Sequence, residues 1–338
     1  MNNPIVSILV PVYQVEEYIE RCAHSLFGQT YPNIEYVFVD DATPDASMDI
    51  LELVLTAYPE RKRNVHIIRH EQNKGLATVR NTLVEASHGE FVLHVDSDDW
   101  MESNAVELLV KRQQETDADI VSAEAYDYYG EGVLKNHLRS GGNLDRESLL
   151  KGILKLEVST SVWRRLIRKS LYDEHNIKCD ERGSGGEDFQ TLPRLVYYAH
   201  TVAGIDTPVY YYNRTNRHSI VATGLNDIGV QLQGLVSARV IISFFSDKET
   251  CFRELVGGID IWHIHNNMEQ NAIKGKVDGY NLFLNLMKES DSQYWYKVHW
   301  NIPLIRCIES YYHTMIPFCI LHHAYVKVKH KIIKITER

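Results

Sequence analysis

Phe91-Val92-Leu93-His94-Val95-Asp96-Ser97-Asp98-Asp99-Trp100 is an apolar run that ends in three carboxylates within four positions. Like charges crowded where a buried strand emerges repel one another and lose solvation. A divalent cation removes that conflict, because hard cations such as Mg²⁺ or Mn²⁺ take oxygen ligands and bridge one or two carboxylates to substrate phosphates. The stretch therefore predicts a buried strand with a metal–phosphate site at its carboxyl end.

The segments around it alternate between strand and helix signals over the first 125 residues. Val6 to Val12, Ile34 to Val39, Val65 to Ile68, Glu90 to Val95 and Asp119 to Ala123 read as strands. Glu16 to Phe27, Ala46 to Tyr58, Leu76 to Ala86 and Ala105 to Gln114 carry apolar residues at helical spacing. This order predicts an α/β fold, a mostly parallel sheet covered by helices on both faces. Such sheets bind ligands outside the carboxyl ends of their strands. Pro11-Val12-Tyr13, Asp40-Asp41 and Asp96 to Asp99 all fall at those ends, so distant polar groups converge on one edge.

Gly130 to Arg146 reads as a polar loop or hairpin, and Val162 to Tyr172 resumes an ordered pattern. Cys179 to Gly186 is a flexible stretch, Glu187-Asp188 opens a helix, and Val209 to Tyr212 is another strand. After about Gly224 the pattern becomes helical: Val230 to Phe245, Phe252 to Gln270, Tyr280 to Lys288, and Trp295 to the end. A soft boundary near Asn226 divides a 1–225 domain from a 226–338 C-terminal helical region.

Composition narrows the function classes. With 338 residues the chain holds a large core, and a net charge of −9 excludes a general nucleic-acid binder, whose footprint is basic. The five cysteines lack C-x-x-C spacing, which points to a reducing compartment and no zinc site. No signal peptide is read at the N-terminus, and no apolar stretch is expected to span a bilayer. The last segment carries Lys327, Lys329, Lys331, Lys334 and Arg338 among aliphatic residues. It reads as a final helix with a solvated basic face, or as a peripheral contact with an anionic membrane.

Several motifs are missing. There is no G-x-G-x-x-G after the first strand, no P-loop and no G-x-S-x-G elbow. His263-x-His265 is a poor metal pair, because positions two apart on a helix do not share a face.

Four elements in order then carry a resemblance: Val6 to Tyr13; Tyr36 to Thr43; Asn73-Lys74-Gly75-Leu76-Ala77 through Arg80-Asn81; and Asp96 to Asp99. Together they resemble family 2 inverting glycosyltransferases over roughly residues 4–125, and more loosely through Glu187-Asp188 and Pro208 to Tyr212. The second half looks like bacterial enzymes that build capsular, exopolysaccharide or O-antigen chains. The resemblance implies a GT-A fold, with a nucleotide-binding half (about 1–125) and an acceptor-binding half (about 126–225). It does not cover the C-terminal helices.

The resemblance also implies roles. Pro11 and Tyr13 would flank the nucleobase, and Asp41 would accept a hydrogen bond from uracil or ribose, with Asp40 the competing choice. Asp41 read without the family is a turn or helix cap. Lys74 and Arg80 would lie near the nucleotide, or are surface cations, and Arg80 would otherwise pair with a site carboxylate. Asp98 would face ribose and metal, Asp99 would ligate Mn²⁺ or Mg²⁺ directly, and Asp96 would support the loop. Asp188 is the expected base and Glu187 positions acceptor or base; otherwise both merely complement a helix dipole. Arg214, Arg217 or His218 would reach the diphosphate, or form a solvated basic loop.

The partners the resemblance implies are a nucleotide-sugar donor of the UDP-sugar class and a glycan or lipid-linked oligosaccharide acceptor. The expected location is the cytoplasm, at the inner face of the membrane if the basic tail binds there. The C-terminal helices are compatible with acceptor binding, homodimer formation or membrane contact. Two other readings compete: a catalytically silent glycan-binding scaffold of the same fold, and a sugar nucleotidyltransferase. The second needs a glycine- and arginine-rich loop where this chain has Pro11-Val12-Tyr13-Gln14-Val15.

Overall fold

Val6–Val12 forms the first strand, β1, and six of its seven residues are buried, as a strand covered on both faces requires. The computed structural model describes residues 3–217, 219–220 and 227–289. In its first half α1 (Ile19–Phe27), β2 (Ile34–Asp40), α2 (Ser47–Leu55), β3 (Val65–Arg69), α3 (Leu76–Ala86) and β4 (Phe91–His94) follow β1. The pairs β1–β2, β2–β3 and β1–β4 are parallel, which brings the ends of β1, β2 and β4 to one edge.

The second half contains β5 (Trp100–Met101), α4 (Ala105–Thr116), β6 (Ile120–Tyr128), β7 (Leu134–Asn136) and α5 (Arg146–Leu154). It continues with β8 (Arg165–Arg168), α6 (Ser170–Glu174), α7 (Glu187–Tyr198) and β9 (Val202–Asn213). The sheet order is β3-β2-β1-β4-β8-β6-β9-β5, with β7 beside β6. Here the sheet is mixed: β4–β8, β6–β8, β6–β7 and β5–β9 are antiparallel, and β6–β9 is parallel. The expectation of a mostly parallel sheet thus holds for the first half only. The short strand Arg-Leu-Ile-Arg of β8 hides this from pattern reading, because its Arg165 is fully buried. That guanidinium is held by the carbonyls of Ser140, Ser159 and Ser161 and by the Ser122 hydroxyl.

Two apolar layers sandwich the sheet. One is built with α1, α2 and α4, and the other with α3, α5 and α7. The second layer continues into α8 (Ile228–Phe245) and α9 (Thr250–Val256), followed by α10 (Ile259–Ile273) and α11 (Val277–Glu289). Helix α8 corrects one expectation: it is long and apolar enough to cross a membrane, with 18 residues and a mean hydropathy of 1.5. Its buried positions Leu235, Ala238, Ile241 and Phe245 pack within the protein, and α8 lies against α7 and α10. Gln231, Gln233 and Arg239 interrupt the run in sequence and mask its length. The boundary expected near Asn226, the segment from Trp295 onward with its basic tail, and His218 lie outside the described residues.

Candidate active site

At the end of β2, Asp41 is only 3% exposed. Its Oδ1 lies 2.7 Å from His70 Nδ1 and accepts the Lys74 N–H at 2.9 Å, while Oδ2 accepts the Gly75 N–H at 2.9 Å. Asp41 therefore ties β2 to the loop that starts α3. Gly75 makes that turn at φ +85°, a conformation natural to glycine. The nucleobase contact expected of Asp41 would have to share oxygens that already serve three groups. Asp40 Oδ1 accepts the Thr43 N–H at 2.8 Å, so neither aspartate is idle. Tyr13 is 41% exposed beside them, Pro11 is half-buried, and the Lys74 side chain is exposed.

The turn after β4 sorts the three acidic residues. Asp99 is 1% exposed; its Oδ2 accepts the Tyr210 hydroxyl and its Oδ1 the Asn213 N–H, both at 2.7 Å. Asp96 and Asp98 remain partly exposed, and Asp98 Oδ2 accepts from Asn216 Nδ2 at 2.9 Å. The direct metal contact expected of Asp99 would have to share oxygens that already serve Tyr210 and Asn213. Asp99 leads directly into β5, whose pairing with β9 directs its carboxylate toward Tyr210 and Asn213. Burial, then the charges of Asp98 and Asp96, push the Asp99 carboxyl well above the usual range. Burial and then Asp96 push Asp98 up to about 6.

Such mutual repulsion is what a divalent cation would reverse, and carboxylate oxygens are the ligands Mg²⁺ and Mn²⁺ take. Among the described residues no group of three or more His, Cys, Asp or Glu side chains forms a metal cage. The residues fit a cation held by one or two carboxylates and completed by a substrate diphosphate.

Glu187 and Asp188 begin α7, about ninety residues after this turn in sequence, and Arg80 joins the two. Arg80 is 4% exposed on α3; its Nη2 lies 2.6 Å from Asp96 Oδ1 and 3.8 Å from Glu187 Oε1. Burial opposes its charge, but Asp96, Asp188 and Glu187 outweigh that and hold it fully protonated. Asp188 is half-buried and its Oδ1 has no hydrogen-bond partner. Burial raises its carboxyl to about 6 against the pull of Arg80. Burial and then Asp188 raise Glu187 to about 8. A carboxylate poised near neutrality with an unused oxygen is suited to accept a proton.

The loop before α7 is clamped from both sides. Ser184 Oγ accepts the Ala77 N–H at the start of α3, at 3.2 Å. On the other side Gln190 Nε2 bonds Gly183 O at 2.9 Å and Ser237 Oγ of α8 at 3.0 Å. Gly186 sits at φ +111°, and an added Cβ would meet Ser237 Oγ at 3.1 Å. Gly186→Ala is expected to destabilise the protein by about 1–2 kcal/mol, read as a lowered urea midpoint at unchanged slope.

Sequence reasoning missed Ser184, Tyr210, Asn213, Asn216 and Ser237 as supports of this site. The alternation of β9 was the available signal for Tyr210, whose 0% exposure contrasts with half-buried Tyr211. Arg214 is tied to Asp127 Oδ1 at 3.0 Å, and Arg217 is exposed.

A sequence model of glycosyl transferase family 2 matches residues 7–175. The chain is 34% identical over 225 residues to the putative glycosyltransferase EpsH of Bacillus subtilis, an overlap of 65% of this chain and 64% of that protein. It is 30% identical over 222 residues to a poly(ribitol-phosphate) beta-glucosyltransferase of Bacillus spizizenii, covering 64% of this chain and 34% of that one. Both overlaps fall short of two thirds of the relative's length. The crystal structure of S. aureus TarS 1–349 in complex with UDP-GlcNAc superposes with a TM-score of 0.65 at 20% identity, over 83% of this chain and 78% of that chain. At that identity the likeness is one of fold.

Proposed function

The chain belongs to glycosyl transferase family 2 and has the GT-A fold, and from that premise we propose that it transfers a sugar from a nucleotide-sugar, a UDP-sugar, to a glycan hydroxyl in cell-surface polysaccharide synthesis, with inversion. The observation that carries this reading is Asp188: a half-buried carboxylate near neutrality, with an unbonded oxygen, linked through Arg80 to the acidic turn after β4. The relatives named for glycosyl transfer, and the UDP-GlcNAc bound by TarS, support the donor class.

In this proposal the two acts of the reaction fall on different elements. An acceptor hydroxyl is a poor nucleophile until its proton is removed, and Asp188 removes it. Glu187 and Arg80 hold Asp188 in place. The deprotonated oxygen attacks the anomeric carbon from the face opposite the departing nucleoside diphosphate, so the configuration inverts. Asp98, with Asp96 behind it, would hold Mn²⁺ or Mg²⁺, which when bound neutralises charge on the leaving diphosphate. Asp99 anchors the turn against Tyr210 and Asn213. Tyr13 and Pro11 flank the nucleobase, and Asp41 and Lys74 shape the loop beside it. Cys22 and Cys179 are buried free thiols, which supports the cytoplasmic side of the membrane.

A screen of UDP-sugars with Mn²⁺, scored by UDP release with and without a lipid-linked acceptor, tests the reading. UDP is expected to raise the melting temperature only with Mn²⁺ or Mg²⁺ present, and Asp98→Ala to remove that rise. A rise that survives both EDTA and Asp98→Ala would remove the metal from the proposal.

A further inference from the structure

A cavity of ≈ 580 Å³ is walled in part by Gly185-Gly186 of the loop that leads to Glu187 and Asp188, and neither Arg80 nor the acidic turn lines it. Its volume is in the range of small-ligand pockets. Its walls come from four places: the end of α5 and the loop after it, Gly185-Gly186, Phe189 of α7, and the helices α8 and α10. The cavity is thus continuous with the loop and helix that carry Glu187 and Asp188.

The lining is mostly apolar, through Leu154, Leu156, Phe189 and Ile259. Trp262 stands among these residues and is 41% exposed. Its indole thus stays partly open to water within the concave wall, where it offers an apolar ring and an N–H donor. Polar groups sit between the apolar ones. Thr160 offers a hydroxyl, Lys155 an exposed ammonium, and His263 a ring set at a steep angle to Trp262. Burial lowers the pKa of His263, so its ring is neutral and presents one donor and one acceptor. An aromatic ring that shares one cavity with separate hydroxyl-binding groups suits a sugar ring, which has apolar C–H faces and a polar edge. An alkyl chain would leave those polar groups without a use.

We propose that this cavity is an acceptor subsite in which a sugar ring of the glycan stacks on Trp262, with its hydroxyls turned to Thr160, Lys155 and His263. The proposal rests on the transfer reading above, and it assigns the C-terminal helices to acceptor recognition. The acceptor would then extend from Trp262 past Gly185-Gly186 to present its hydroxyl at Asp188.

The test uses the full chain labelled with 5-fluorotryptophan, followed by ¹⁹F NMR, with the Trp262 signal assigned through Trp262→Phe. The probes are phenyl β-glycosides of glucose, galactose and N-acetylglucosamine, with farnesyl phosphate as the apolar comparison. The expected result is a saturable shift of the Trp262 signal with at least one glycoside, retained in Asp188→Asn. Trp262→Ala should need about tenfold more of that glycoside for half-maximal stimulation of UDP release, the loss of one aromatic stack. The conservative Trp262→Phe should recover most of that loss. Silence of the Trp262 signal with all three glycosides overturns the subsite, as does a saturable response to farnesyl phosphate alone. A silent Trp262 in a protein that transfers sugar, and loses transfer in Asp188→Asn, leaves the transfer reading standing. A responsive Trp262 in a protein that turns over no UDP-sugar does the reverse: the glycan site stands and the transfer reading falls.

Discussion

Asp188→Asn lowers sugar transfer by about 10³-fold while UDP still binds. The substitution keeps the size of the side chain, and it removes the negative charge and with it the capacity to take a proton. Asp188 Oδ1 has no hydrogen-bond partner to lose, and Arg80 keeps Asp96 and Glu187 as counter-charges, so the amide fits where the carboxylate stood. Single-turnover transfer measured beside UDP-induced thermal stabilisation separates the two effects. Transfer within about threefold of the parent protein, far inside the roughly 10²–10⁴-fold contribution of a general base, would remove Asp188 from the role of base. The same assignment predicts a pH profile. Burial raises the Asp188 carboxyl to about 6, so the group is protonated and inactive as a base below that value. Transfer should therefore fall as pH drops through about 6 and level off above it, and Asp188→Asn should flatten that limb. Glu187 titrates in the same cluster, so Glu187→Gln is expected to displace the limb rather than erase it.

Arg80→Met destabilises the protein by about 3–5 kcal/mol at neutral pH, the cost of breaking a buried ion cluster by removing one partner. Arg80 is the cation shared by Asp96, Glu187 and Asp188, and it is 4% exposed. Methionine fills much of its volume but leaves three carboxylates facing one another. The sign of the pH dependence follows from that. Burial first, then Asp188 acting on Glu187 and Asp96 acting on Asp188, raise both carboxyls above their unfolded values, so the folded state takes up protons as pH falls. Protonation relieves the repulsion that Arg80 no longer balances. The stability deficit should shrink as pH falls through the range in which this pair protonates, measured by urea unfolding at several pH values. A deficit that stays constant with pH would assign Arg80 a packing role alone. Arg80→Lys keeps the charge but lacks the planar fork, so it should recover part of the stability and less of the transfer.

Much of the fold is legible because apolar periodicity is a local signal. β1 and α3 were readable to the residue, since a continuous β-branched run and a single apolar stripe leave little choice. β9 was visible only in its second half, because Gly204, Asp206, Thr207 and Pro208 disguise its length. β8 is hidden within a longer ordered pattern, because nothing in the sequence marks Arg165 as buried. At the site, local pattern put carboxylates at strand ends, but it treated Asp96, Asp98 and Asp99 as one cluster. Asp99 separates from the others only through Tyr210 and Asn213, more than a hundred positions away.

What the sequence determined by itself is the alternation of strands and helices, the edge where polar residues gather, and the residue types available there. The direction of each side chain at that edge belongs to the tertiary structure. Whether Asp41 meets a ligand or caps a loop depends on where the start of α3 lies. Whether Asp188 is a surface charge or a proton acceptor near neutrality depends on Arg80 and on the burial supplied by its neighbours. The loop that leads to Asp188 is shaped by α8, a helix whose sequence holds no sign of that task. Periodicity is encoded within a few residues. Burial, hydrogen-bond partners and charge coupling exist only after distant segments have packed.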